Sequence, residues 1–188
     1  VNVGIVGPSA LAKQTQTIVH EWRGIAVPQG WDNQLSDEPA LLCTADRRVR
    51  LDLGEYADLI GNVGGNLGNV FTQGYTGVLA RFGYNIPSSF YASDPIYPRM
   101  DYRSDDTSLY AFTSATGKGV LRNIFFDGNT FQDSVSVDKE PWVFEWRVGV
   151  EAKYKGIKIG YSYCNVSSEY ETSGGGTDFG EVTLGWNF

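Results

Sequence analysis

The chain contains a single histidine, His20, in a segment whose spacing predicts a short helix. Ser9 is a good helix N-cap and Gly24 a good C′ residue, so we predict a helix between them. At 100° per residue, Lys13 and Gln16 fall on the same face as His20. Imidazole gains and loses a proton near neutral pH, so this face carries a group suited to proton transfer. The alternative is a fully solvated surface histidine.

The other face of the predicted helix is apolar. Its stripe recurs at helical spacing and consists of Leu11, Thr15, Ile18 and Trp22. We expect this stripe to pack against the rest of the protein and the His20 face to be presented to a site.

The composition excludes several other kinds of site. The chain has 188 residues, with 15 Lys+Arg against 22 Asp+Glu and a net charge of −7, which argues against nucleic-acid binding. One histidine excludes a His-rich metal site, and two cysteines cannot make a disulfide scaffold. The glycine-rich stretch 61–68 lacks the Lys-Ser/Thr ending of a phosphate loop, so we interpret it as a strand with small residues.

Alternating polarity predicts that strands make up most of the chain. The clearest run is 142–154, where the even-numbered residues are apolar and the odd-numbered ones are mostly charged. Similar runs occupy 1–6, 41–53, 57–68, 77–86, 157–164 and 181–188, and the run 108–122 is rich in Tyr and Phe but alternates poorly. The sequence therefore predicts an all-β protein of about eight antiparallel strands, with one short helix at the rim of the sheet.

Two all-β architectures fit this pattern, a soluble sandwich or lipocalin-like protein and an outer-membrane barrel. Aromatic residues favour the barrel, because they lie near strand ends, as the interfacial girdles of a barrel do. They are Tyr84, Trp142, Tyr154, Trp186 and Phe188. Long polar segments such as 85–106 alternate with tight turns, which is also typical of an outer-membrane barrel.

The local motifs resemble the outer-membrane lipid A 3′-O-deacylase family of Gram-negative bacteria, in order along nearly the whole chain. The motifs are Val6-Gly7-Pro8-Ser9-Ala10, Gln16 with Val19-His20, Pro28-Gln29-Gly30-Trp31-Asp32-Asn33-Gln34-Leu35, Glu38-Pro39-Ala40, Gly68-Asn69-Val70, Leu79-Ala80-Arg81-Phe82-Gly83 and Asp127-Gly128-Asn129-Thr130-Phe131. The resemblance implies location in the bacterial outer membrane and a twelve-stranded barrel, of which this chain supplies the C-terminal two-thirds. The chain also opens inside a strand-like run at Val1, so we expect residues 1–188 to be a single barrel domain that lacks N-terminal strands.

The resemblance also implies an activity and a set of site residues. Members hydrolyse an ester-linked acyl chain of lipid A, with a histidine as general base and with calcium at the oxyanion, and His20 is the matching histidine. Gln16, Lys13 and Asp32 are the expected supporting residues. The family has an acidic calcium ligand just after the histidine helix, but residues 24–30 contain no carboxylate, so Glu21 is the nearest candidate ligand here.

Two functions from different classes therefore remain open. The first is a lipid A deacylase, whose partners are lipopolysaccharide and outer-membrane lipid. The second is a non-catalytic outer-membrane barrel of the same fold that acts as a structural or docking component, with protein partners in that membrane.

Overall fold

The computed structural model describes residues 1–88 and 107–186. The described strands are β1 Asn2–Val6, β2 Glu38–Asp52, β3 Ala57–Gly68, β4 Phe71–Tyr84, β5 Ser108–Asn123, β6 Trp142–Tyr154, β7 Ile157–Val166 and β8 Thr177–Trp186. Helix α1, Ala12–Arg23, lies between β1 and β2, and the short helix α2, Ile124–Asp127, follows β5. Two 3₁₀ turns, Pro8–Ala10 and Trp31–Asn33, flank α1 in the sequence.

The strands form one antiparallel sheet in sequence order, β1 to β8. Each strand pairs with its sequence neighbours, which is the up-and-down connectivity that short turns allow. A two-residue turn joins β6 to β7, where Tyr154 lies opposite Ile157. The prediction of about eight antiparallel strands is confirmed, and β3 and β6 have the predicted bounds.

The two faces of the sheet have inverted polarity. Most apolar side chains of the strands point outward and are exposed, as at Val182 (67%) and Leu184 (63%), whereas most of the buried side chains, which point inward, are polar or charged. In β5, where alternation is weak, Tyr110 and Phe112 point inward and are buried. An exposed apolar outer face around a polar interior is the arrangement of a membrane barrel wall, because the lipid replaces water outside.

Ion pairs between neighbouring strands fill the interior near one end of the sheet. Arg81 on β4 donates two hydrogen bonds to Asp58 on β3, from Nε at 2.9 Å and from Nη2 at 2.7 Å. Both residues are almost fully buried, with exposures of 2% and 1%. Arg50 on β2 brings its Nε within 2.9 Å of the same carboxylate. Since Asp58 and Arg81 lie opposite each other in the strand register, the strand pairing itself brings the charges together.

A second set of interior bonds links β5, β6, β7 and β8. Tyr110 donates a hydrogen bond to Glu151, which also pairs with Lys158. Farther along the strands, Glu145 and Arg147 take part in three further pairs, which are Lys118–Glu145, Arg147–Glu145 and Arg147–Glu181. These buried charges therefore lie beside charges of opposite sign. Burial of an ion in a low-dielectric environment is costly unless it is paired in this way.

The helical elements differ in part from the prediction. Helix α2 and the two 3₁₀ turns are additional to the single predicted helix. None of the helices in the described residues is long and apolar enough to cross a membrane. Residues 89–106 of the predicted loop 85–106 and the predicted girdle residue Phe188 lie outside the described residues.

Candidate active site

The segment 7–37, which contains α1, connects β1 to β2 at one end of the sheet. We call this end the α1 rim; the β3–β4 turn at 69–70 and the connections 124–141 and 167–176 also lie there. The β2–β3 and β6–β7 turns, the end of β4 and the start of β5 lie at the opposite end. Odd-numbered strands therefore end at the α1 rim and even-numbered strands begin there. The side chains near α1 come from these strand ends and from the connections between them.

Helix α1 begins later than predicted. Its N-cap position is Leu11, with a left-handed φ of 60°, and Thr15 Oγ1 donates a hydrogen bond to the Leu11 carbonyl at 3.0 Å. The prediction of Ser9 as the N-cap is wrong, because its hydroxyl bonds elsewhere. Ser9 donates from its backbone N–H and its Oγ to Asp37, at 2.8 and 2.7 Å, which ties the two ends of the 7–37 segment together.

The end of α1 is at the predicted place and forms a Schellman motif. Gly24 adopts φ 65° and ψ 30°, and its N–H donates to the Glu21 carbonyl at 3.1 Å. The N–H of Ile25 donates to the His20 carbonyl at 3.0 Å. This pair of bonds reverses the chain and brings the residues after Gly24 back along the helix.

The reversed chain meets the imidazole of His20. The ring Nδ1 lies 2.7 Å from the carbonyl oxygen of Ala26. A carbonyl oxygen only accepts hydrogen bonds, so Nδ1 carries the proton and Nε2 keeps its lone pair in the neutral ring. His20 is half-buried, so the alternative of a fully solvated histidine does not hold.

The apolar stripe of α1 points the opposite way from the prediction. Ile18 is 66% and Trp22 85% exposed, and Leu11 is exposed as well, whereas Gln16 and His20 are half-buried. The segment that returns after Gly24 lies on the polar face, through the bond between His20 and Ala26, and this contact accounts for the reversal.

The predicted supporting residues are brought together only in part. Lys13 Nζ lies 3.6 Å from Asp32 Oδ1, and these side chains are 49% and 98% exposed. The pair therefore links α1 to the 3₁₀ turn at Trp31–Asn33 from the solvent side. Gln16 lies one helical turn before His20 on the same face of α1, and both residues are half-buried.

The described residues hold no acidic cluster of the kind that commonly binds calcium. Calcium takes six to eight oxygen ligands, usually including several carboxylates. No group of three or more His, Cys, Asp or Glu side chains arranged for a metal occurs in 1–88 and 107–186. Glu21 is exposed on α1, and Asp32 is engaged with Lys13, so neither forms part of such a group.

A buried carboxylate, Glu38, anchors the α1 rim and was not among the predicted site residues. Its two oxygens accept hydrogen bonds from Asn69 Nδ2 at 2.8 Å, Asn129 Nδ2 at 3.0 Å and Thr130 N at 2.7 Å. Asn129 also bonds both backbone groups of Ser36. The base of the 7–37 segment is thereby fixed to two other connections, and the only advance signal is that Glu38, Asn69, Asn129 and Thr130 all lie in the motifs quoted above.

Known proteins resemble this chain in both sequence and fold. The family model described as "Outer membrane protein LpxR" matches residues 1–188. The solved structure of LpxR from Salmonella typhimurium matches with a TM-score of 0.85 at 20% sequence identity, over 99% of this chain and 65% of that chain. No curated protein sequence matches the chain. Since the family model covers every residue, the chain belongs to the LpxR family of outer membrane proteins, the lipid A deacylase family that its motifs resemble.

Proposed function

We propose that this protein takes part in hydrolysing an ester-linked acyl chain of lipid A, with His20 as the general base. The observation that carries the proposal is the 2.7 Å contact between His20 Nδ1 and the Ala26 carbonyl oxygen. It leaves Nε2 as the basic nitrogen of a half-buried neutral imidazole, which is the form a general base needs. Because the chain spans 65% of the length of the solved LpxR, the whole protein's activity and substrate are part of the proposal.

In the proposed reaction, Nε2 of His20 accepts a proton from water while the water oxygen attacks the ester carbonyl carbon. The tetrahedral intermediate then expels the sugar oxygen, and the imidazolium returns the proton to it. One water is consumed, and the products are a free carboxylic acid and a hydroxyl group on lipid A. A general base in this role raises the rate of the reaction by about 10²- to 10⁴-fold.

Gln16 is the described side chain best placed to assist His20. It lies half-buried on the His20 face, and its amide N–H groups are donors for the oxyanion that develops on the ester carbonyl. Lys13 and Asp32 are solvent-exposed and paired, so their proposed role is to hold α1 against the 3₁₀ turn that follows it.

The position of the site supports a lipid substrate. The segment 7–37 and the connections 124–141 and 167–176 lie at the α1 rim, whereas the β2–β3 and β6–β7 turns at the other end are short. Outer-membrane barrels carry their longer loops on the extracellular side, so the proposal places His20 at the outer leaflet.

The scheme assigns no residue to calcium, because 1–88 and 107–186 hold no group of three or more His, Cys, Asp or Glu side chains arranged for a metal. Calcium binding remains a prediction from the family resemblance, as do protein partners in the membrane.

The test is mass spectrometry of lipid A from cells that express the protein or its variants in the outer membrane. The wild type is expected to remove one acyl chain, and His20→Ala to lower the rate at least about 100-fold. Gln14→Ala is the matched control, because Gln14 is exposed on the same helix.

Two outcomes count against the proposal. Deacylation that is equal in the wild type and His20→Ala would exclude the histidine as the base. Lipid A that the folded wild type leaves unchanged, with calcium supplied, would instead favour the non-catalytic barrel.

A further inference from the structure

We propose that Gly24 is a positioning residue that selects the protonated nitrogen of His20 through the backbone carbonyl of Ala26. This inference rests on the proposed function for its consequence in catalysis. Its structural content, which nitrogen of the ring carries the proton, stands independently of any activity.

The geometry connects the two residues in three steps. Gly24 adopts a left-handed conformation, φ 65°, that side chains with a Cβ adopt at a cost. That conformation permits the two bonds of the helix end, from Gly24 to the Glu21 carbonyl and from Ile25 to the His20 carbonyl. The chain reversal then places the Ala26 carbonyl oxygen 2.7 Å from Nδ1.

The open space around Gly24 separates this backbone effect from any steric effect of a side chain. A Cβ built on Gly24 would meet no atom within 4 Å, so a small side chain would clash with nothing. Any effect of Gly24→Ala must therefore come from the left-handed backbone alone. Gly7 differs in this respect, since a Cβ there would lie 2.6 Å from the backbone of Ser36 and Asp37.

The same chain supplies a matched control and a rescue. Gly30 lies in the same 7–37 segment, has a positive φ of 98°, and has equally open space around its Cβ position. Its described backbone bond, from the N–H of Asn33 to its carbonyl, does not involve His20. Asparagine tolerates the left-handed conformation better than alanine, so Gly24→Asn is the conservative replacement.

The presence of one histidine makes a direct readout available. Incorporating ¹⁵N-histidine labels His20 alone, and ¹⁵N NMR of the folded protein in detergent micelles distinguishes protonated from unprotonated ring nitrogens. The spectra are recorded at a pH where the imidazole is neutral, for the wild type, Gly24→Ala, Gly24→Asn and Gly30→Ala. Deacylation kinetics are measured on the same four proteins.

The wild type is expected to show a single form with the proton on Nδ1. Gly24→Ala is expected to mix this form with the Nε2-protonated form and to lower kcat about tenfold at unchanged KM, because only part of the population then carries a basic Nε2. Gly24→Asn should restore both values toward the wild type, and Gly30→Ala should match the wild type.

A single Nδ1-protonated form in folded Gly24→Ala would overturn the inference, and so would an equal change in Gly30→Ala. The proposed function fails separately. If Gly24→Ala changes the ring protonation while deacylation is absent from the wild type or insensitive to His20→Ala, the positioning role stands and the catalytic role does not.

Discussion

The interior of the sheet and the α1 rim are both polar, but they are held together in different ways. In the interior, Asp58 and Arg81 face each other on adjacent strands, and the strand register brings them into contact. At the rim, Glu38 bonds Asn129 and Thr130, which lie about ninety residues away along the sequence. The scaffold is thus built from repeated local pairings, while the candidate site depends on a few specific long-range hydrogen bonds.

This difference determines how far the loss of stability caused by a substitution is expected to spread. Removal of an interior charge leaves a buried ion without a partner and weakens the whole sheet. Removal of a rim bond frees one connection while the strand pairing persists. Three substitutions, taken in order of decreasing effect, test this contrast.

Asp58→Ala is expected to have the largest effect. It leaves Arg81 buried with no carboxylate opposite, and the free energy of unfolding should fall by about 3–5 kcal/mol. Urea unfolding of the protein in detergent micelles, followed by tryptophan fluorescence, measures the change. The matched control is Asp52→Ala, which removes a 72% exposed side chain paired with Arg50 and should cost less than about 1 kcal/mol. If the free energy of unfolding falls equally in the two variants, buried and exposed ion pairs do not differ in their contribution to stability.

Glu38→Gln tests the rim anchor. The neutral amide keeps one acceptor oxygen and loses the charge that strengthens the bonds from Asn69, Asn129 and Thr130. The free energy of unfolding should therefore fall by about 2 kcal/mol. The same urea titration measures it, with Glu55→Gln in the exposed β2–β3 turn as the control. A loss as large as that of Asp58→Ala would show that the rim and the interior form one unit.

Asp37→Asn should have the smallest effect, confined to the 7–37 segment. Hydrogen bonds from the backbone N–H of Ser9, and then from its hydroxyl, hold the pKa of Asp37 below its ordinary value. Their stabilisation is therefore complete above the ordinary carboxyl pKa and is lost as pH falls through the lowered one.

Limited proteolysis of the 7–37 segment checks this prediction. At neutral pH, cleavage should be faster in Asp37→Asn than in the wild type or in the exposed control Asp133→Asn, and urea unfolding should be unchanged. As pH falls below the ordinary carboxyl pKa of about 4, the difference between the wild type and Asp37→Asn should begin to shrink, and it should disappear as pH falls through the lowered pKa of Asp37, where the wild-type carboxyl gains its proton. A difference that is constant with pH would exclude the Asp37 carboxylate as its cause.

The sequence predicts the sheet well because each strand separates two unlike environments. An exposed apolar face outside and paired charges inside impose a period of two, which is why the bounds of β6 follow directly from its alternation. The end of α1 is predictable for a related reason, since Gly24 suits a left-handed backbone.

The rim is less predictable, because its bonds join residues that are distant in sequence. Ser9 has the chemistry of an N-cap, but Asp37 takes its hydroxyl. The helical period identifies the two faces of α1 but not which one is covered, and the returning segment at Ala26 decides it. To predict the Glu38 anchor, one would likewise need to know that the connections 124–141 and 7–37 meet at one rim.

The main-chain origin of the bond to His20 has a consequence for mutational tolerance. Any residue at position 26 supplies a carbonyl, so that position is free to vary in side chain although it touches the imidazole. A Cβ at position 24 would meet no atom within 4 Å, yet few residues suit its backbone conformation. A saturation scan of this turn would therefore show tolerance at the contacting residue and intolerance two positions before it, the reverse of the pattern for a histidine oriented by a carboxylate side chain.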